Sequence, residues 1–325
     1  MRAVVLHEFG PAENLRYESL PDPVPGPGQV RIAVRAAGAH FVETVVRAGE
    51  AGDMAPPPPE LPAVFGGEVA GVVDLVGAGV DADWVGRRVV TARSTPGGYA
   101  ELTVADVSGV HPLPEGVGFE DAASMVVTGA TTMGLLEVAQ LRSDDVVLVT
   151  SAAGGVGRLV VQYAKALGAT VVGAAGGPEK VRAVRELGAD LAVDYNDSGW
   201  GSVVREHLGG RKVTAVLDGV GGEKAAAAFE LIADGGRYVV IGWASQEAFV
   251  PGDDVLAGRG ISYVNALLEL LGRPEDGPGQ QKQALEALAR GELAPSHQTF
   301  PLAEAARAHA AMERRETTGK VLLIP

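Results

Sequence analysis

Hydrophobic and polar positions change their rhythm once along the chain, near Asp121. Before it, apolar residues come in short runs broken by glycine and proline. Met1–Leu6 reads as a strand and Pro21–Gly28 (PDPVPGPG) as a turn-rich break. Val30–Ala36 (VRIAVRA) alternates polar and apolar, as a half-buried strand does. Ala39–Ala48 has the spacing of a short helix, and Val69–Val76 and Arg88–Thr91 are strand-like, with turns at Gly77-Ala78-Gly79 and Gly97-Gly98. The tract Pro56–Pro59 reads as a stiff surface loop. The first 120 or so residues therefore form a β-rich, barrel-like unit.

Beyond Asp121, apolar runs of strand length alternate with segments of helical period. Ala122–Leu141 is helical with a break near Thr128-Gly129. Strands follow at Val146–Thr150, Thr170–Ala174, Leu191–Val193, Thr214–Leu217 and Arg237–Ile241, with helices at Val156–Leu167, Glu179–Leu187, Val203–Leu208 and Glu223–Ile232. This is the pattern of βαβ units and a doubly wound parallel sheet, an α/β fold. Gln280–Arg290 and Leu302–Arg314 read as helices. The last strand, Lys320–Ile324, has no evident place in the parallel sheet and could complete the N-terminal β unit.

One stretch organises the chain: Val146–Gly168, a buried-strand run, a glycine turn (Ala152-Ala153-Gly154-Gly155-Val156-Gly157) and an amphipathic helix stopped by Gly168. Strand, glycine turn and helix together bind a pyrophosphate. The glycines allow close backbone approach, and the helix start offers unpaired N–H groups and a partial positive charge. The match is A-x-G-x-x-G in the context the motif requires. A P-loop is excluded because no Gly-Lys-Ser/Thr follows.

Composition narrows the partners. The net charge of −14 leaves no basic surplus for nucleic acid or an anionic membrane. No signal-like run follows Met1 and no apolar run of about 18 residues exists, so the expectation is a soluble, cytoplasmic chain. With no cysteine at all, disulfides, thiol nucleophiles and Cys-ligated metals are impossible. The second strand of the nucleotide unit ends in Ala175-Gly176-Gly177, without the acid that would bind the ribose hydroxyls of NAD. Glu179 instead sits at a helix start, where it suits the dipole. Lys180 follows and could face a 2′-phosphate, which favours NADPH.

Taken together, these segments resemble the medium-chain dehydrogenase/reductases, specifically the zinc-independent quinone oxidoreductase (zeta-crystallin-like) branch and the related polyketide enoyl reductases. The resemblance rests on MRAVVLHEFG (Met1–Gly10), AAGAHFVETVVRAG (Ala36–Gly49), FGGEVAGVV (Phe65–Val73), GGYAEL (Gly97–Leu102), AAGGVG (Ala152–Gly157), DGVGG (Asp218–Gly222), GGRYVVIG (Gly235–Gly242), FPLAEAARAHAAME (Phe300–Glu313) and TGKVLLIP (Thr318–Pro325), in shared order and spacing. It implies a GroES-like β-rich substrate domain over residues 1–121 and 265–325 around a Rossmann domain over 122–264. It also implies a nicotinamide in the cleft between them, and a homodimer through sheet edges with Val255–Val264 as the edge strand.

Zinc-bearing relatives use a Cys in the segment matching Ala36–Val42 and a His where Gly67 stands here, so the metal is absent on chemical grounds. Glu68 then reads as a structural carboxylate. Where the branch usually has Asn, this chain has His40, which either donates a proton or hydrogen bond to a developing enolate or fills the Asn place as a neutral donor. Thr131 matches a family threonine near the nicotinamide. Lys180 and Tyr195 match the pair placed around the 2′-phosphate. The expected pyrophosphate cradle is Ala153, Gly154, Gly155, Val156 and Gly157, and Gly242 and Trp243 face Thr131 across the nicotinamide. The expectation is an NADPH-dependent reductase of a small quinone or α,β-unsaturated carbonyl, with His40 and Thr131 as catalytic residues and no metal. Two alternatives stand beside it. One is an enoyl reductase on a thioester-bound polyketide, with Arg47, Arg93 or Arg259 guiding a phosphopantetheine. The other is a non-catalytic NADPH-binding structural or regulatory protein. Trp243 and the Pro56–Pro59 loop are expected to shape the substrate pocket.

Overall fold

A computed structural model describes residues 1–50, 57–92 and 97–325. Pro56 of the proline tract and Arg93 lie outside the described residues. The chain divides into two units, one of Met1–Val127 with Ala284–Pro325 and one of Thr128–Gln283. These borders stand at 127/128 and 283/284, where the sequence reading set 121/122 and 264/265.

The second unit carries six parallel strands in the spatial order Leu191–Asp194, Thr170–Ala175, Val146–Thr150, Val213–Asp218, Ile232–Val240, Ser262–Asn265. Numbered by sequence, that is 3-2-1-4-5-6, the doubly wound order. The continuous apolar run Val146–Val149 is explained by burial on both faces. Val147 and Val149 pack in one cluster with Leu135, Val160 and Ala164, while Val146 and Leu148 pack in the other with Trp200, Val204 and Phe229.

Two predicted elements of this unit are corrected. The helix expected over Glu223–Ile232 spans Gly222–Phe229, and Ile232 opens the next strand, Ile232–Val240. Ile232 pairs with Val213, and that non-local partner outweighs its fit to the helical period. The edge strand expected over Val255–Val264 is instead a helix, Asp253–Arg259, followed by a short strand, Ser262–Asn265. Asp253 and Asp254 suit the helix start, and Gly260 at φ 61° closes it in the left-handed conformation.

The first unit holds a seven-stranded sheet among the described residues. Its path runs His297–Pro301, Lys320–Ile324, Gln29–Ala39, Glu68–Val76, Arg88–Ala92, Val110–Pro112, and Leu102–Asp106 also pairs with Gln29–Ala39. A smaller sheet joins Leu15–Ser19, Arg2–Leu6 and Ala63–Val64. The strand Lys320–Ile324 lies between strands contributed by both ends of the chain, with Val321 opposite Ala39 and Leu322 opposite Gly38. That pairing extends the strand to Ala39, three residues past its predicted end, so the helix expected from Ala39 begins at Phe41. His40 becomes the residue at its entrance. Its N–H donates to the Glu43 carboxylate (2.8 Å), and the Glu43 N–H returns to the His40 carbonyl (3.0 Å).

Candidate functional site

In the second unit the loops at the carboxyl ends of the first and fourth strands converge. This is the switch point where open α/β sheets bind ligands. Ser151 turns the chain with φ 53°, and Gly154 caps the helix Gly155–Leu167 without any side-chain bond. The N–H groups of the first turn thus receive no side-chain cap from the residue best placed to supply one, as an anion cradle requires. A Cβ on Gly157 would stand 2.3 Å from the Ser151 carbonyl oxygen and 3.0 Å from the Ala152 Cα, so glycine is needed for helix and turn to meet. Ala153 is buried behind the turn.

Asp218, buried at the end of the fourth strand, locks the neighbouring loop. It accepts from the Thr150 hydroxyl (2.6 Å) and from the Val220 (3.1 Å) and Gly221 (3.2 Å) N–H groups. Its carbonyl accepts from Ile241 and Gly242, and the Ala244 N–H donates to the Gly219 carbonyl. Gly242 and Trp243 are thereby tied to the switch point by backbone bonds. Thr131 is half-buried on the helix Thr128–Ala139, while its neighbour Thr132 bonds the Thr128 carbonyl (2.8 Å). Gly154, Gly155, Val156 and Gly157 therefore fit a pyrophosphate.

At the end of the second strand, Gly176 lies against Tyr195: a Cβ there would be 3.1 Å from the ring. Lys180 stands in the first turn of the helix Pro178–Glu186. Sequence reasoning missed Lys224, whose Nζ donates to the Tyr195 carbonyl (2.7 Å) and sits 5.7 Å from the ring centre. It also placed no acid at this strand end. A carboxylate does reach it, from the neighbouring strand: Asp194 accepts from the Gly177 N–H (3.0 Å) and the Asn196 N–H (2.9 Å). Both bonds hold the turn, so this carboxylate is occupied by backbone.

In the first unit His40, Glu68 and Lys320 form a charged cluster. Glu68 is fully buried, and Gly38, paired opposite it, makes the room: a Cβ on Gly38 would stand 1.9 Å from Glu68 Oε1. Lys320 Nζ closes on Glu68 Oε1, and His40 Nε2 lies 3.1 Å from the same oxygen. Neither Glu68 oxygen takes a hydrogen bond in good geometry, so the attraction is chiefly one of charge. Burial alone would push the Glu68 carboxyl up. The Lys320 ammonium and then the His40 ring more than offset it and hold the group down, at about 2. Lys320 Nζ is also 3.2 Å from His40 Nδ1 and 3.3 Å from Nε2. His40 is thus a member of a cluster, where the sequence reading had it alone. The signal for Lys320 lay in Thr318-Gly319-Lys320, but only the register of Lys320–Ile324 against Gln29–Ala39 brings it to His40.

Behind this cluster, Glu43 ties the helix entrance to the strand below. Its carboxylate also accepts from the Gly66 N–H (3.1 Å) and the Tyr99 hydroxyl (2.7 Å). The Tyr99 oxygen meets His309 Nε2 at 3.1 Å. Burial and the Glu43 carboxylate push the Tyr99 phenol up, so it remains a donor. Arg47, offered by sequence as a guide for phosphopantetheine, is buried. It pairs with Glu313 and donates to the Gly10 carbonyl (2.9 Å). Arg259 is likewise engaged by Asp234 (2.9 Å) and the Ile232 carbonyl (2.5 Å). Both guanidiniums are thus held by partners within the protein, while Arg93, the third residue offered, lies outside the described residues.

Comparison with known proteins agrees with both units. Residues 26–115 match the alcohol dehydrogenase GroES-like domain, and residues 155–276 match a zinc-binding dehydrogenase domain. A quinone oxidoreductase of Pseudomonas aeruginosa is 36% identical over 98% of this chain and 97% of its own. A 2-haloacrylate reductase of a Burkholderia species is 33% identical over 99% and 98%. The solved Escherichia coli quinone oxidoreductase complexed with NADPH superposes with a TM-score of 0.87 at 29% identity, covering both chains fully. The residues present do not fit the zinc in the domain's description. The chain has no cysteine, Gly67 precedes Glu68, and the Lys320 ammonium against Glu68 repels a cation. Among the described residues no three His, Asp or Glu side chains gather as ligands, and no single helix is long and apolar enough to cross a membrane.

Proposed function

The chain belongs to the medium-chain dehydrogenase/reductase family, in its zinc-independent quinone oxidoreductase branch, and from that membership we propose that it is an NADPH-dependent reductase of small quinones or α,β-unsaturated carbonyls. The observation that carries the reading is the anion cradle at the start of the helix Gly155–Leu167 in one unit, with the buried cluster of His40, Glu68 and Lys320 in the other. The nicotinamide, when bound, supplies a hydride. The chain's own residues do the rest. Gly154, Gly155, Val156 and Gly157 hold the pyrophosphate with backbone N–H groups, with Ala153 behind them. Lys180 and Tyr195 receive the 2′-phosphate. Thr131 and the backbone at Gly242 and Trp243 hold the nicotinamide ring.

A ketone or quinone already conjugated to the reacting carbon stores the delivered charge on its oxygen. It therefore needs only a donor there, where an alcohol to be oxidised would need a Lewis acid. The His40–Lys320 cluster provides that donor. The same chemistry suits the activated C=C bonds of haloacrylates and enones. We also expect a homodimer, with Ser262–Asn265 as the open edge of the six-stranded sheet; light scattering of a single species at twice the chain mass checks it.

The test is NADPH oxidation at 340 nm with a small quinone, a fused-ring ortho-quinone, a short enone and an enoyl thioester, with NADH run in parallel. Turnover with NADPH well above NADH supports the reading. NADPH binding without turnover of any acceptor favours the non-catalytic alternative. Lys180→Ala is expected to weaken NADPH by about tenfold and NADH hardly at all, as loss of one charge-assisted phosphate contact should. Equal weakening of both coenzymes would remove Lys180 from phosphate recognition.

A further inference from the structure

The starts of the parallel strands in the second unit lie at the end of the sheet opposite the glycine cradle, and one place there is hollow. A cavity of about 280 Å³ opens between the end of the helix Trp200–Leu208, the starts of Val213–Asp218 and Ile232–Val240, and the end of the helix Asp253–Arg259. The strand Val213–Asp218 has six residues, so the cavity stands about 17 Å from Asp218 and the loops of the cradle. Its floor is apolar: Val204, Leu208, Leu231 and Ile232 are all buried. Its walls are cationic, with Arg205, Arg211, Lys212 and Arg259 against one carboxylate, Glu230. The whole chain has 27 basic and 41 acidic residues, so the cavity reverses the sign of the molecule that holds it.

These cations are not equally occupied. Arg259 is fixed in the wall by Asp234 and the Ile232 carbonyl, with its guanidinium 5.4 Å from the centre of the Phe229 ring. Arg211 donates to the Thr170 hydroxyl (3.2 Å). Arg205 and Lys212 are exposed and make no hydrogen bond or ion pair among the described residues. The Asp234 carboxyl is held down first by its bond to Arg259, and only then by the charge of Lys212. Arg205 and Arg259 each suit the negative end of the helix that carries them. Arg211 and Lys212 lie outside both helices and bring the excess of charge.

We propose that this cavity is a second ligand site for a small organic dianion with an apolar body (an aryl or short acyl compound bearing two phosphate or carboxylate groups). Two free cations, Arg205 and Lys212, set the number of anionic groups. Arg211 and Arg259 add to the positive field, and the buried floor takes the apolar part. At about 280 Å³ the cavity falls just under the range of about 300–1,000 Å³ usual for drug-sized ligands, which excludes a second dinucleotide. The site stands apart from the reductase reading and does not depend on it.

The probe is naphthalene disulfonate, whose sulfonates stand in for phosphate or carboxylate. It is titrated calorimetrically into the full chain at about 0.1 M salt, with and without saturating NADPH. One-to-one binding with a dissociation constant below about 1 mM is expected, unchanged by NADPH. Inorganic sulfate carries the charge without the apolar body and should bind at least about tenfold more weakly. The double variant Arg205→Gln/Lys212→Gln should weaken the disulfonate at least about tenfold. Both side chains are exposed and unbonded, so that variant should keep the wild-type unfolding midpoint. No binding of the disulfonate in this range, wild-type affinity in the double variant, or sulfate binding as tightly overturns the proposal. Displacement of the probe by NADPH would place it in the cradle and overturn the proposal equally.

Discussion

Between pH 7 and pH 4 the protein is expected to lose about 3 kcal/mol of stability to one residue, His309. This histidine is buried against Tyr99, and burial, aided by Arg47, holds its pKa down to about 3 from an ordinary 6.5. The folded protein therefore keeps the ring neutral where the unfolded chain takes up a proton. The unfolded state binds more protons throughout that window, so stability is full above pH 6.5 and drains as pH falls toward 3. Glu68 acts in the same direction but later. Its carboxyl is held at about 2 against an ordinary 4.5, so its share, about 3 kcal/mol in all, is lost mostly below pH 4. The upper part of the acid limb thus belongs to His309. Gln keeps a donor where Nε2 meets the Tyr99 oxygen but cannot titrate. Urea midpoints at pH 7 and pH 4 should differ far less in His309→Gln than in the wild type. A variant with the wild-type pH slope would show that the protons are taken up elsewhere.

Gly157→Ala is the second large effect. The added methyl would meet the Ser151 carbonyl oxygen at 2.3 Å, its carbon at 2.9 Å and the Ala152 Cα at 3.0 Å, all of them backbone. No side chain can swing away, so the helix Gly155–Leu167 must lift from the strand that precedes it. Overpacking of this kind costs about 1–3 kcal/mol. It also moves the first-turn N–H groups out of register with a bound pyrophosphate, and NADPH affinity is expected to fall at least about tenfold. Gly201→Ala is the control: its methyl would find nothing nearer than 3.7 Å, within the helix Trp200–Leu208, and should be neutral or slightly stabilising. Calorimetry and fluorescence titration of both variants separate the effects. A Gly157→Ala protein with wild-type NADPH affinity would mean that the turn is not the pyrophosphate cradle.

The nucleotide-binding unit was legible because its signals are local. Val146–Thr150 is apolar throughout, the glycine turn follows directly, and Gly168 ends the helix at φ 93°, as a left-handed cap. Errors arose where a distant partner decided. Ile232 fits the period of the helix before it but pairs with Val213, and Ala39 fits a helix start but pairs with Val321. Asp253–Arg259 was misread although its local signals were present, because an edge strand was expected there. The first-unit cluster was half-legible. His40 and Glu68 could be named from their motifs, but Lys320 is 280 positions from His40 and nothing local joins them. Gly38 could not have been read at all, since its meaning is the carboxylate on the opposite strand.

The place of Lys320–Ile324 in the first-unit sheet has a consequence for synthesis. A ribosome adding about 5–20 residues per second needs on the order of half a minute to pass from His40 to Lys320. Throughout that interval the far end of Gln29–Ala39 has an unpaired edge, and Glu68 has no ammonium beside it. The second unit lies wholly within that interval and can fold on emerging. A nascent chain therefore completes its glycine cradle long before the cluster of His40, Glu68 and Lys320 can close.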